Sequence, residues 1–412
     1  MPSWRAANAF LYRLYSLVQE WPRKLGLEFP AADADGRPGR KRLVFLAWGL
    51  IGDCVLTTSV LRHFKKAFPE LEIVCLGREQ ARWVLAPHVD VFVPIDPTSA
   101  GLGLPFIAAL RGGQLARCDV LTGDIHVFYG GLARLRDLIV KLPARLKIFY
   151  EGYADRRQLA PGRRFPKGVV VVPSLGKPEV RPGSNQGVVD EWHVLHDVLH
   201  FFKATFAQVY GRAMPPRATE GRLAPVVPVP QPGPILERLG LERGTYVCCH
   251  VVSNNPKKDW PISNWEQLLE SSPRRFVILG SPKDRARVAK LAGDRVRILC
   301  GETSLPETIA VIESAAAFVG LDSGLAHLAT NLGQKSIVIA QNATLGWFFP
   351  YPRLLARNNL TTLWNTRSPE CVGCFFRCPR ESLWELAMIG ARCMRELQPE
   401  TVLEALERAL AP

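Results

Sequence analysis

No stretch of this chain is apolar for long enough to cross a bilayer: the longest apolar run near the front, residues 43–51, falls far short of the about 20 residues a spanning helix needs. The N-terminus also lacks the apolar core and small-residue cleavage site of a secretory signal, so the ten cysteines are expected as thiols in a reducing cytoplasm. Missing too are a long Lys/Arg tail and any recognisable nucleic-acid motif, although the formal charge is +14. That balance calls for an acidic partner of another kind, an anionic membrane surface or a phosphorylated substrate, and nucleic acid is set aside. There is no short internal repeat and no G-x-G-x-x-G, so no dinucleotide fold is read from the glycines.

What is present is the composition of a soluble globular protein, 47% apolar and 22% charged, in a chain of 412 residues that is too long for one ordinary core. Strand patterns at 42–48, 71–76, 89–95 and 120–128 alternate with helical ones, beginning with 53–68. Pro215, Pro216, Pro225, Pro228, Pro230, Pro232 and Pro234 then mark an extended linker. After it the alternation restarts, with strands at 246–251, 276–279, 296–299, 317–321 and 336–340, and helices from 263, at 284–291, at 305–315 and at 324–332. The expected fold is α/β, two doubly wound Rossmann-like domains of parallel sheet facing across a cleft. Its divisions are an N-terminal extension at 1–40, a first domain at 41–213, a linker at 214–236 and a second domain at 237–412.

Within the extension, Trp4, Phe10, Leu11, Leu14, Tyr15, Val18 and Trp21 recur at near-helical spacing among Arg5, Arg13, Arg23 and Lys24. The pattern fits a basic amphipathic helix on an anionic lipid surface, or a helix docked on the body of the protein.

Three stretches carry chemistry. Phe318-Val-Gly-Leu-Asp-Ser-Gly-Leu-Ala-His327 reads as a strand running into the first turn of a helix, where Asp322 and Ser323 are cap residue types and Gly324 permits close approach of a ligand. A helix N-terminus of this kind suits a phosphate. In Gly49-Leu-Ile-Gly-Asp53 a carboxylate sits at the mouth of a strand-helix turn, where it could take a proton from a hydroxyl or simply cap the helix. Lys257 and Lys258, on a loop after the strand that ends near His250, could neutralise a diphosphate leaving group or stand solvated.

Together, Gly52-Asp53 with Thr57, Lys258-Asp-Trp-Pro261 and Gly320-Leu-Asp-Ser-Gly-Leu-Ala-His327 resemble glycosyltransferase family 9, the bacterial heptosyltransferases of lipopolysaccharide core synthesis. The similarity runs from about residue 41 onward and takes in Leu279-Gly280 and Cys300-Gly-Glu-Thr-Ser-Leu305. It implies the GT-B fold and inverting transfer of a heptose from ADP-heptose with no cofactor or metal required for catalysis. By resemblance, Asp53 is the general base and Lys258 the phosphate contact. Asp322, Ser323, Gly324 and His327 form the donor-diphosphate loop, Asp284 lies near the donor ribose, and Gly52 lies on the acceptor side. Arg134 and Arg136 could meet acceptor phosphates, as could Lys141, Arg145 and Lys147, or the cluster could be a solvated face. The implied acceptor is a phosphorylated glycolipid, which puts the protein in the cytoplasm, peripheral at the inner face of the membrane.

Three segments depart from the family pattern: Ala47-Trp48-Gly49-Leu50 where an Arg is usual, Val251-Val252 for Pro-Gly, and Gln341-Asn-Ala343 for a Gly-containing donor loop. They keep open a non-catalytic nucleotide-sugar or glycolipid binder of the same fold, another sugar nucleotide and a protein acceptor.

Cys371, Cys374, Cys378 and Cys393 have spacing that could close on a structural Zn or Fe, with buried thiols as the alternative. His193, His196 and His200 share helical spacing, but the Glu of a zinc-binding H-E-x-x-H is absent and a structural or acceptor-facing helix is expected.

Overall fold

The structure, a computed structural model, describes residues 41–47, 49–95, 118–123, 144–150, 169–173, 175, 193–211, 213–214, 225–352, 359–374, 376, 378–382, 385–386 and 389–411. The amphipathic stretch at 3–25 lies outside them, as do Arg134, Arg136 and Lys141. The chain divides into two units, residues 1–50, 60–175 and 197–220 in one, and residues 51–59, 176–196 and 221–412 in the other.

Each unit holds one six-stranded parallel sheet. In the first, β1 (Arg42–Ala47), β2 (Glu72–Gly77), β3 (Val91–Pro94), β4 (Val120–Gly123), β5 (Leu146–Tyr150) and β6 (Val169–Val172) lie in the order β3-β2-β1-β4-β5-β6. In the second, β7 (Tyr246–His250), β8 (Arg275–Ile278), β9 (Val296–Ile298), β10 (Ala317–Leu321), β11 (Ser336–Ile339) and β12 (Leu360–Leu363) lie in the order β12-β11-β10-β7-β8-β9. Counted from its own first strand, each sheet has the same doubly wound order, which reverses direction between the first and fourth strands. The central strands are continuous apolar runs, as both-face burial requires: Leu43 to Ala47 and all of β7 and β10 are buried.

The longer helices are α1 (Ile51–Ala67), α2 (Val194–Tyr210), α3 (Pro232–Leu239), α4 (Ile262–Ser271), α5 (Leu305–Glu313), α6 (Gly324–Leu332) and α7 (Pro399–Leu410). Helix α5 begins with a reciprocal cap between Ser304 and Glu307, and α6 ends on Gly333 at φ 88°, a left-handed conformation that costs glycine little.

Three strands run where none was expected. Leu146–Tyr150 takes in Lys147 of the basic cluster, which can be read as a solvated face, while Val169–Val172 and Leu360–Leu363 are short and mostly half-buried. Helix α1 starts at Ile51, so Asp53 stands in its first turn. His193 precedes α2 and is not on it, a correction to the helical spacing of the three histidines. Its Nδ1 accepts from Leu195 N at 3.1 Å at the helix entrance.

In the first unit Phe64, Phe68, Phe202, Phe206 and Tyr210 stack in one aromatic seam, with Phe68 and Phe206 4.2 Å apart. In the second, Trp260 and Trp265 meet edge-to-face at 5.2 Å among Val247, Phe276, Leu268 and Leu406. Both indoles are fully buried, and Trp260 Nε1 donates to Leu397 O at 2.9 Å. Such a ring is an anchor whose truncation costs about 3–5 kcal/mol, and it fixes the loop that precedes it.

Candidate functional site

That loop carries Lys258. Pro256–Lys258 forms a single 3-10 turn, capped by the Asn255 side chain, which accepts from Lys257 N at 3.2 Å. Asp259 accepts from Ser253 N at 2.8 Å and pairs with Arg287, so the chain is pinned on both sides of the lysine before it dives to Trp260. Lys258 Nζ then lies 3.2 Å from Asp322 Oδ2 and 5.5 Å from the centroid of the Phe348 ring.

Asp322 follows β10 directly and is buried; Thr344 Oγ1 donates to the same oxygen at 3.1 Å. Ser323 is the N-cap of α6, yet its hydroxyl makes no cap bond with its own helix and pairs instead with His250 Nδ1 at 2.9 Å. Ser323 thus gives the first-turn N–H groups of α6 no side-chain cap, and the carboxylate next to that dipole end, Asp322, is already engaged by Lys258 and Thr344.

Gly52 and Gly324 let the Asp53 turn close on this loop. A Cβ on Gly324 would lie 3.1 Å from Gly52 N, and one on Gly52 would lie 2.8 Å from His327 Cδ2. Thr57 Oγ1 donates back to Asp53 O at 2.9 Å inside α1. The Asp53 carboxylate is near enough to His327 to act on its titration: burial drives the imidazole down to about 4, against the upward pull of Asp322 and then Asp53, with Lys258 adding to the lowering. His327 Nδ1 meets Tyr351 OH at 2.7 Å and its ring stacks on Phe349 at 4.5 Å.

Lys258, Asp322, Ser323, Gly324, His327, Gly52 and Asp53 therefore converge at the carboxyl ends of β7 and β10, where the strand order of the second sheet reverses. The arrangement offers a cation and a helix N-terminus for an anion, with a carboxylate close by.

Asp284 stands apart from this convergence. Its Oδ2 accepts from Ser281 N and Ser281 Oγ, both at 2.7 Å, in a reciprocal cap after β8, and it is buried.

The sequence reading missed four participants. His250 opened a quoted motif without being given a role, though a histidine ending a buried strand is a signal; burial drives its pKa down to about 4. Thr344 and Tyr351 lie beyond the motif and become neighbours only through the fold. Gln341, noted only as a departure, is buried with Nε2 on Thr344 Oγ1 at 3.1 Å and Oε1 without a hydrogen-bond partner among the described residues.

Among the described residues no group of three or more His, Cys, Asp or Glu side chains is arranged to hold a metal ion. The cysteine spacing does not by itself make a centre: Cys371 and Cys393 are buried, Cys374 and Cys378 half-buried, and Cys378 Sγ turns to Glu381 at 3.9 Å. None of the ten cysteines is in a disulfide. His196 and His200 likewise join no such group. Arg145 pairs with Asp119 at 3.7 Å, and Lys147 lies on β5. A cavity of about 820 Å³ opens at the amino ends of β8 and β9, far along the strands from this chemistry; of its arginines, Arg295 donates to Ser272 O and Arg297 to Leu239 O. No helix among the described residues is long and apolar enough to span a membrane.

No curated protein matches the chain. Among solved structures, the glycosyl transferase family 9 from Veillonella parvula DSM 2008 is similar at 15% identity and a TM-score of 0.59, over 90% of this chain and 97% of that one. The E. coli ADP-heptose lps heptosyltransferase II is similar at 17% identity and 0.58, over 90% and 98%. The E. coli heptosyltransferase WaaC with ADP-2-deoxy-2-fluoro heptose follows at 17% and 0.52, over 89% and 99%. These likenesses show the fold, the two-sheet α/β arrangement of GT-B-like heptosyltransferase structures. The family model for glycosyltransferase family 9 (heptosyltransferase) matches residues 180–369, a span that includes Lys258, Asp284 and Asp322 to His327 and leaves out Gly52 and Asp53. Over residues 180–369, the chain is similar to glycosyltransferase family 9 (heptosyltransferase).

Proposed function

We propose that the protein is an inverting glycosyltransferase that moves a heptose from ADP-heptose to a hydroxyl of a lipopolysaccharide core or related glycan. The observation that carries this reading is the ion pair of Lys258 with Asp322 at the N-terminus of α6, beside the turn that bears Asp53. Asp53 takes the proton of the acceptor hydroxyl as its oxygen attacks the anomeric carbon. The bond from that carbon to the diphosphate oxygen breaks on the opposite face, and the electron pair leaves with ADP. Lys258 and the first-turn N–H groups of α6 stabilise the charge on the departing diphosphate, aided by Ser323 and Gly324, so no catalytic metal enters the scheme. Asp322 holds the ammonium in place and His327 supports the Asp53 turn.

In this reading the range 237–412 serves the donor and 41–213 the acceptor, with Gly52, Arg134 and Arg136 on the acceptor side and Asp284 near the donor ribose. The linker is 214–236, and the extension at 1–40 meets the anionic inner leaflet. The acceptor is a phosphorylated glycolipid, which fits the net charge of +14 and a peripheral place on the cytoplasmic side. Val251-Val252 and Gln341-Asn-Ala343, both buried, favour as second reading a different sugar nucleotide, since they lie where the donor would be held.

A panel of ADP-, UDP- and GDP-sugars offered to the full chain with a deacylated lipopolysaccharide core separates the two. Nucleotide release and a mass gain of one heptose with ADP-heptose alone supports the first reading; release with another sugar nucleotide supports the second.

A further inference from the structure

Tyr351 has no place in the scheme above, yet its hydroxyl is buried between two side chains of α6. Asn331 Nδ2 donates to it at 2.9 Å, and His327 Nδ1 lies 2.7 Å from it. The direction of these bonds follows from the donor and acceptor inventory. Asn331 Nδ2 also bonds His327 O at 2.7 Å, and a carbonyl can only accept, so the amide nitrogen is fixed at that end. Its second hydrogen goes to the Tyr351 oxygen. The phenolic hydrogen is then left for His327 Nδ1, and a neutral imidazole that accepts there must carry its own proton on Nε2.

The other edge of that ring faces the turn that bears Asp53. A Cβ placed on Gly52 would lie 2.8 Å from His327 Cδ2 and 3.5 Å from Nε2, so Nε2 looks toward the turn of Gly52 and Asp53. We propose that Tyr351 is a positioning residue: held by Asn331, its hydroxyl fixes His327 as the Nε2–H tautomer and so presents an N–H donor, not a lone pair, to the Asp53 turn. A lone pair there would oppose the Asp53 carboxylate, whereas an N–H steadies it in its ionised form. Burial holds the imidazole neutral and raises the phenol far above its usual range, so both groups keep these forms across ordinary pH. Stacking of His327 on Phe349 at 4.5 Å, with an interplanar angle of 22°, keeps the ring from turning. The kinetic consequence rests on Asp53 being the base; the tautomer does not.

The test is nitrogen NMR of the full chain labelled at its eight histidines, with the His327 signals assigned by their loss in His327→Gln. The wild type should show His327 with Nε2 protonated and Nδ1 bare. Tyr351→Phe, which keeps the ring and drops only the hydroxyl, should release the tautomer to a mixture. Asn331→Leu, which frees the hydroxyl to turn, should do the same. In transfer assays Tyr351→Phe should lower kcat about tenfold with the donor KM unchanged. A protonated Nδ1 in the wild type, or an unaltered pattern in Tyr351→Phe, overturns the proposal. Should the wild type transfer no sugar at all, the functional reading fails while the nitrogen pattern still decides this one.

Discussion

Lys258 and Asp322 lie 64 residues apart in sequence and 3.2 Å apart in space, joining the loop after β7 to the turn after β10. The carboxylate is almost entirely buried and the ammonium largely so, with 6% and 19% of their side chains exposed. Each therefore depends on the other for compensation of its charge. Replacing Asp322 with Ala should destabilise the fold by about 2–3 kcal/mol, somewhat below the fully buried range because the lysine keeps some water. Lys258→Met should cost a comparable amount, and the double variant less than the sum of the two. Urea unfolding near neutral pH measures all three, and strict additivity would contradict the coupling.

Gly52 and Gly324 are placed for closeness and not for unusual backbone angles. A methyl at 52 meets the His327 ring at 2.8 Å and Gly324 Cα at 3.3 Å; one at 324 meets Gly52 N at 3.1 Å and Ile51 Cβ at 3.2 Å. Gly52→Ala and Gly324→Ala should each cost about 1–3 kcal/mol through forced separation of the Asp53 turn from α6. Transfer should fall more steeply than stability accounts for, because Asp53, the proposed base, is displaced along with the turn. Denaturation midpoints beside kcat/KM on the same preparations check this.

How far the sequence announces these features depends on the range of the forces involved. Strands such as β1, β7 and β10 are buried on both faces, and their continuous apolar runs are visible in isolation. Helix α6 is legible because a strand runs into Asp322-Ser323-Gly324, with Gly333 closing the far end. Strand β5 was hidden, since Arg145 and Lys147 give it the look of a solvated segment although Ile148, Phe149 and Tyr150 are buried. At the site, Lys258 and Asp322 stand out by motif, whereas Tyr351 and Thr344 matter only through contacts made by the fold. No local pattern marks a tyrosine that will meet a histidine 24 residues earlier.

The second unit should lose stability in mild acid. Burial drives His193 down to about 3, and His250 and His327 to about 4, while an unfolded imidazole titrates near about 6.5. Between those values the unfolded chain binds protons that the folded one refuses, so stability falls as pH falls. The contribution is complete above about pH 6.5 and declines toward about pH 4. The urea midpoint should drop steadily between about pH 7 and about pH 5, and His327→Gln should flatten part of that slope. A midpoint that stays level over this span would contradict neutral burial of the three rings.

Cys371 and Cys393 should be slow thiols. Burial, reinforced for Cys371 by its neighbours Cys378, Glu370 and Cys374, raises its thiol to about 12, and burial raises Cys393 to about 11. Little thiolate is then present at neutral pH, and alkylation of both should be slow in the native protein and fast in denaturant. Peptide mapping after timed alkylation reads each position; rapid native labelling of Cys371 would contradict the assignment.

The central claim, that Asp53 is the base of a sugar transfer, is tested most directly with the purified chain, ADP-heptose and a deacylated lipopolysaccharide core. Wild type and Asp53→Asn are compared for ADP release and for the mass of the acceptor. The account predicts release and a gain of one heptose in the wild type, a loss of at least about 100-fold in the variant, and unchanged donor affinity. Transfer by Asp53→Asn at an undiminished rate would contradict it.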